Sequence, residues 1–210
     1  MKLHFLYLVA AVALIACSSP KINYYTLNAQ ELPASSTLTH KTRVLVGPVT
    51  VPAVIDTPQL VSRNNSNQVS VYEYHRWAGS LKTDIERVVA TDLSRDLLTP
   101  NVWSYSQSPF APYDFQVFID VQNMDSQLGE AVTLDVLWTI KPSATNSSTQ
   151  ESATSKKSSQ LVTAPHPTTL TGRSQIREAV SGNGFNALVA AQSRAFDQVS
   201  RDIAKALMAH

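Results

Sequence analysis

The chain has 210 residues, with 17 Lys and Arg against 16 Asp and Glu for a formal net charge of +1, and 43% of its residues are hydrophobic. That balance excludes a basic stripe for nucleic acid and the charge-rich, apolar-poor composition of a disordered chain, and no polybasic cluster is present for anionic headgroups. With one cysteine, Cys17, an internal disulfide is excluded as well.

Met1 and Lys2 form a short positive start, and residues 5–16 follow as an uncharged apolar run. About a dozen apolar residues fall short of the roughly twenty that a membrane-spanning helix needs, so the segment reads as a signal peptide over residues 1–16. Leu14, Ile15, Ala16 and Cys17 resemble the lipobox of bacterial lipoproteins. The resemblance implies a diacylglycerol on the Cys17 thiol, cleavage before Cys17, and acylation of the freed amine by a fatty acid such as palmitate. The competing reading is an ordinary secretory peptide cleaved among residues 16–19, with Cys17 incidental. No cofactor is implied beyond the covalent diacylglycerol and N-acyl chain on Cys17. Each buried methylene contributes about 0.8 kcal/mol, so several acyl chains make a durable anchor where one is marginal. Ser18 and Ser19 stand where lipoproteins kept in the inner membrane of many Gram-negative bacteria carry Asp, which implies sorting to the outer membrane, facing the periplasm.

Cleavage leaves roughly 190 residues, residues 17–210, enough for one domain with its own core. Tyr24, Tyr25, Thr26 and Leu27 read as an edge strand, and residues 31–42 as a polar connection. Residues 43–52 are β-branched, with Gly47-Pro48 marking a bulge or an edge because proline cannot donate to a ladder. Residues 59–63 and 69–74 form a hairpin around Asn64, Asn65, Ser66 and Asn67. Leu81, Ile85, Val88, Val89, Leu93 and Leu97 fall on one helical stripe over residues 80–98, with Lys82, Glu86, Arg87 and Arg95 elsewhere; Pro100 ends the helix.

Phe115, Val117, Ile119 and Val121 alternate with polar residues, as do Val132, Leu134, Val136, Trp138 and Ile140, giving two long strands with one buried face each. Ten of the eighteen residues in 143–160 are Ser or Thr, which predicts a mobile loop. A further strand is expected over residues 161–170. A second helix carries Phe185, Leu188, Val189, Phe196, Val199, Ile203 and Leu207, started by the turn Gly182-Asn183-Gly184. Two amphipathic helices with six or seven strands are best satisfied by an α+β two-layer sandwich, a mixed or antiparallel sheet with both helices on one face.

The usual catalytic constellations are absent: no G-x-S-x-G, no H-E-x-x-H, no Walker loop and no Cys/His pair with metal spacing. The five histidines are scattered, with His75 after a strand. Asp84 with Glu86, and Asp120 with Asp135, read as solvated faces of a helix and of strands, with a cross-strand carboxylate pair left open. The segment Tyr72-Glu73-Tyr74-His75-Arg76-Trp77 gathers aromatics and an arginine at a strand-helix junction, the composition of an interface centre. Tyr74, Arg76 and Trp77, with Arg63, are therefore candidate partner-binding residues. The equal alternative is that Trp77 and one tyrosine cap the core under the first helix.

Taken in order, Tyr24-Tyr25-Thr26-Leu27 after the cysteine, Val46-Gly47-Pro48-Val49 with Val51-Pro52, Asp56, Pro58-Gln59-Leu60-Val61 with Arg63, and Arg76-Trp77-Ala78 with Leu81 resemble the auxiliary lipoproteins of ABC-type transport systems, the paraquat-inducible protein C family. The resemblance implies an outer-membrane lipoprotein with no reaction of its own, working beside an MCE-domain transport protein in intermembrane lipid movement and envelope integrity. A homo-oligomeric ring would suit a collar for a tubular partner. The runner-up is a structural or assembly lipoprotein of the outer membrane unrelated to transport, followed by an envelope hydrolase.

Overall fold

The computed structural model describes residues 20–30, 41–143 and 168–209. Cys17 with the signal segment, most of the 31–42 connection, the Ser/Thr-rich stretch beyond Ser143, and residues 161–167 lie outside the described residues.

In chain order the elements are β1 (Asn23–Tyr25), β2 (Val44–Thr50), β3 (Gln59–Asn65), β4 (Gln68–Trp77), α1 (Leu81–Asp96), β5 (Val102–Ser104), β6 (Phe115–Ser126), β7 (Ala131–Pro142), β8 (Leu170–Ala179) and α2 (Gly184–Met208). The strands form a five-stranded sheet of order β5-β2-β6-β7-β8 and a three-stranded sheet of order β1-β4-β3. In the larger sheet β2 runs parallel to both β5 and β6, while β6, β7 and β8 are antiparallel. Helix α1 packs over β2 and β5, α2 over β7 and β8, and the helices pack on each other. The α+β expectation holds, with eight strands in two sheets among the described residues instead of six or seven in one.

Patterning explains the layers. Val132, Leu134, Val136, Trp138 and Ile140 present alternate buried side chains along β7, opposite Val117, Ile119 and Val121 of β6. The β6 register shifts between Val121 and Asn123. The inward phase therefore moves from odd to even positions, and Met124 and Ser126 become the buried ones. From the helices, Ile85, Val88, Leu93, Leu188, Phe196 and Ile203 are fully buried in the same core. Each such side chain stabilises the fold by about 1.5–3 kcal/mol.

Gly47-Pro48 does form a bulge, in a strand paired on both sides and not at an edge. The register with β6 jumps between Val46 and Val49, and the Gly47-Pro48 peptide is cis. Gly47 has φ 113°, and a Cβ there would sit 2.8 Å from Glu86 Oε1, so only glycine fits. The strand expected over residues 161–170 lies mostly outside the described residues, and the strand described in the last third is Leu170–Ala179. Its inward side carries Leu170, Gly172, which leaves room for the Trp138 ring, Ser174 and Ile176, so the apolar period is too sparse to register. Strand β5, three residues long, was not expected at all.

Candidate functional site

The segment after β1 lies across the helices as a strap. Leu27 is fully buried, and side chains of both helices hold the backbone on either side of it. The Leu27 amide donates to Asp84 Oδ2 at 2.6 Å, the Asn28 amide to Ser193 Oγ at 3.1 Å and the Gln30 amide to Asp92 Oδ1 at 3.0 Å. Arg87 donates to the Leu27 carbonyl at 2.5 Å and is itself paired with Asp84. A strap without sheet partners keeps its buried amides satisfied in this way.

Under the strap, the seam between α1 and α2 is ionic. Arg95 pairs with Asp92 at 3.0 Å, Asp96 at 2.8 Å and Asp197 at 2.6 Å, and Asp197 also pairs with Arg201. Burial pushes the Asp92 carboxyl up to about 6, against the Gln30 amide and Arg95, which favour its charge; Asp197 and Asp96 add to the rise. For Arg95, burial opposes the charge, but hydrogen bonds to Asp96 and Asp197 outweigh it and raise its pKa. Asp92 Oδ2 and Asp96 Oδ2 are buried without a hydrogen-bond partner.

Of the four carboxylates read from sequence as solvated, Asp120 is exposed as expected, and the reading is corrected for the others. Glu86 is buried and accepts the Ser106 amide at 2.9 Å; Asp84 fastens the strap. Asp120 and Asp135 are not a cross-strand pair, since Asp120 faces Leu137 and Asp135 faces Asn123. Asp120 accepts from Thr50, whereas Asp135 binds Arg173, whose hydrogen bond lowers the Asp135 pKa.

Strand β4 runs to Trp77, so His75 lies inside a strand and not beyond it. Its ring stacks on Phe185 of α2 at 3.8 Å, and its Nδ1 lies 2.7 Å from the Tyr25 hydroxyl. Tyr72 meets the same Phe185 edge-on at 4.7 Å. The sequence assigned Phe185 to the helix stripe, but nothing in its spacing marked His75 as its partner.

The structure separates the four candidate partner-binding residues. Trp77 is 6% exposed and belongs to the core. Tyr74 is 48% exposed, and Arg76 is paired with Glu73 at 3.0 Å on the same side of β4. Arg63 lies further along the hairpin, paired with Asp125 at 2.7 Å. Beside the strap, a groove of about 540 Å³ runs between Tyr24, Asn28 and Gln30 on one side and Asn186, Ala190 and Arg194 of α2 on the other. Among the described residues no group of three His, Cys, Asp or Glu could hold a metal ion, and no helix is long and apolar enough to cross a membrane.

A mixed sheet backed by two helices, crossed by an N-terminal strap pinned to both, defines a small α+β domain. The chain belongs to the family of ABC-type transport auxiliary lipoprotein components, whose model matches residues 25–204. Two solved structures share the fold. One, of an uncharacterised protein, is 17% identical with a TM-score of 0.64 and covers 90% of this chain and 99% of its own. The other, a Xanthomonas campestris protein, is 16% identical with a TM-score of 0.61, covering 87% and 92%. No curated protein matches the chain.

Proposed function

We propose that the mature chain, residues 17–210, is a non-catalytic outer-membrane lipoprotein, anchored through acylated Cys17, that serves as the periplasmic docking partner of an MCE-domain protein in intermembrane lipid transport. The observation that carries this reading is the family match across residues 25–204, which makes the chain an auxiliary component of an ABC-type transport system. The lipobox-like Leu14-Ile15-Ala16-Cys17 supports the anchor, and Ser18-Ser19 supports outer-membrane sorting. The strap supports a role under tether, because Leu27 and its side-chain clamps fix the first described segment to both helices. The proposed partnership needs no chemistry from this chain, only a rigid surface held at a fixed distance from the membrane.

Deletion of the gene tests the reading. It predicts increased permeability of the envelope to detergents and large hydrophobic compounds, restored by the wild-type chain and not by Cys17→Ala. Wild-type permeability in the deletion strain would count against it.

A further inference from the structure

The small sheet β1-β4-β3 has a face turned inward and a face turned out. Inward lie Leu60 and Ser62 of β3 and Trp77 of β4, with Tyr72 and His75 against Phe185. Between the Leu60–Tyr72 and Gln59–Arg76 pairs the register slips, and this bulge holds Tyr72 and His75 on the same side while Tyr74 turns outward. Alternation then places Val69 and Val71 on the side opposite Leu60 and Ser62, where Val61 is part-buried against the core and lines a crevice with Val69, Pro52 and Ile55, and the parallel register sets Tyr24 beside Arg76. Ile22, exposed just before β1, continues that side. Five of the ten exposed large hydrophobic side chains among the described residues therefore gather on or beside one small sheet: Ile22, Tyr24, Val69, Val71 and Tyr74. Tyr24 is 64% exposed and Val71 51%. The two arginines on this side are neutralised by Glu73 and Asp125.

An apolar patch of this kind marks a docking site for a protein or a membrane, and the tether decides between them. Only five residues, six steps of chain, separate Cys17 from Asn23, the start of β1. Fully extended, they reach about 20 Å. The sheet that begins there cannot leave the neighbourhood of the bilayer that holds the lipid. Tyrosine rings with their polar tips, beside valines and paired charges, match the boundary between headgroups and acyl chains.

We propose that the outer face of the β1-β4-β3 sheet rests on the bilayer surface, with Tyr24, Val71 and Tyr74 at headgroup depth. This rests on the proposed acylation of Cys17. The acyl chains already hold the protein, so the contact adds orientation more than affinity: a rigid domain on a short tether stops tumbling and presents one fixed side to the periplasm.

The acylated Cys17 thiol is blocked, so an introduced cysteine is the only free thiol in the full chain. Spin labels are placed one at a time through Tyr24→Cys, Val71→Cys and Tyr74→Cys, with Thr133→Cys, at an exposed position of β7, as the reference. The acylated chains are reconstituted in vesicles of phosphatidylethanolamine and phosphatidylglycerol. The ratio of collisions with oxygen to collisions with a water-soluble nickel chelate should be several-fold higher at 24, 71 and 74 than at 133. Equal ratios on acylated protein overturn the bilayer contact and leave the anchor standing. Labels that stay wet on vesicles and become shielded only when an MCE-domain protein is added overturn it in favour of a protein partner. The mass of the N-terminal peptide reads acylation separately, and an unacylated chain overturns both readings.

Discussion

Asp92 is fully buried, shares Arg95 with two other carboxylates and holds the Gln30 amide. Its carboxyl is raised to about 6 by burial, whereas an unfolded Asp titrates near 3.9. Between those values the folded chain holds a proton that the unfolded chain has released. Stability therefore falls as pH rises from about 4 to about 6, by an amount on the order of 3 kcal/mol, and levels off above. Urea unfolding of wild type and Asp92→Asn across that range should show the fall in wild type and its loss in the variant. Asp135 works in the opposite direction below this window: its lowered pKa gives stability present above about 4 and lost in stronger acid. At Gly172 a Cβ would lie 2.1 Å from the Trp138 ring. That ring is fixed by its Nε1 donating to Ser174 Oγ at 3.1 Å, which in turn donates to Asp202 at 2.8 Å. Gly172→Ala should destabilise by about 1–3 kcal/mol through overpacking. The Gly172→Ala, Trp138→Leu double variant should lose less than the sum of the singles in thermal unfolding. Neither residue stood out in the sequence. Asp92 occupies a helix position that counts as polar in any apolar stripe, and glycine in a strand carries no sign of which ring it makes room for.

Among the elements, those with a strong apolar period were legible and those built on polar contacts were not. Helix α2 begins after Asn183, as the Gly182-Asn183-Gly184 turn predicted, because thirteen of its residues are buried along a regular stripe. Strands β6 and β7 followed from strict alternation. The strap escaped, since Thr26, Asn28 and Gln30 have no period, and what fastens them is contributed by Asp84, Arg87, Asp92 and Ser193 from distant parts of the chain. Leu27 is the strap's apolar anchor, and Leu27→Ala should cost about 2–5 kcal/mol. Asp84→Ala removes the acceptor of the Leu27 amide and the partner of Arg87. Amide exchange in that variant should speed up over residues 26–30 while the α2 core residues Leu188, Phe196 and Ile203 stay protected. Equal loosening of strap and α2 would show that the strap is part of the core's cooperative unit and not a clamp laid over it.

At the scale of the whole molecule, the family and the fold class were readable because they depend on the order of many segments, whereas which of the candidate docking residues reach the surface was not, because burial decides it. The hairpin composition singled out Trp77, and the structure places that ring in the core, leaving Tyr74 and Arg76 on a face shared with Tyr24 of β1. Replacing Cys17 with Ser should release the chain from membranes while the thermal unfolding of the domain that begins at β1 stays unchanged. Fractionation of cells labelled with a radioactive fatty acid checks both halves of that statement. A domain that works as the membrane-held partner of a transport assembly must be recovered together with that assembly. That is tested most directly by purifying the tagged full-length chain from detergent-solubilised envelopes and identifying what accompanies it by mass spectrometry. Wild-type preparations should contain an MCE-domain protein that is lost or sharply reduced with Cys17→Ser. Recovery of other outer-membrane assembly components in its place, with no MCE-domain protein, would contradict that partnership.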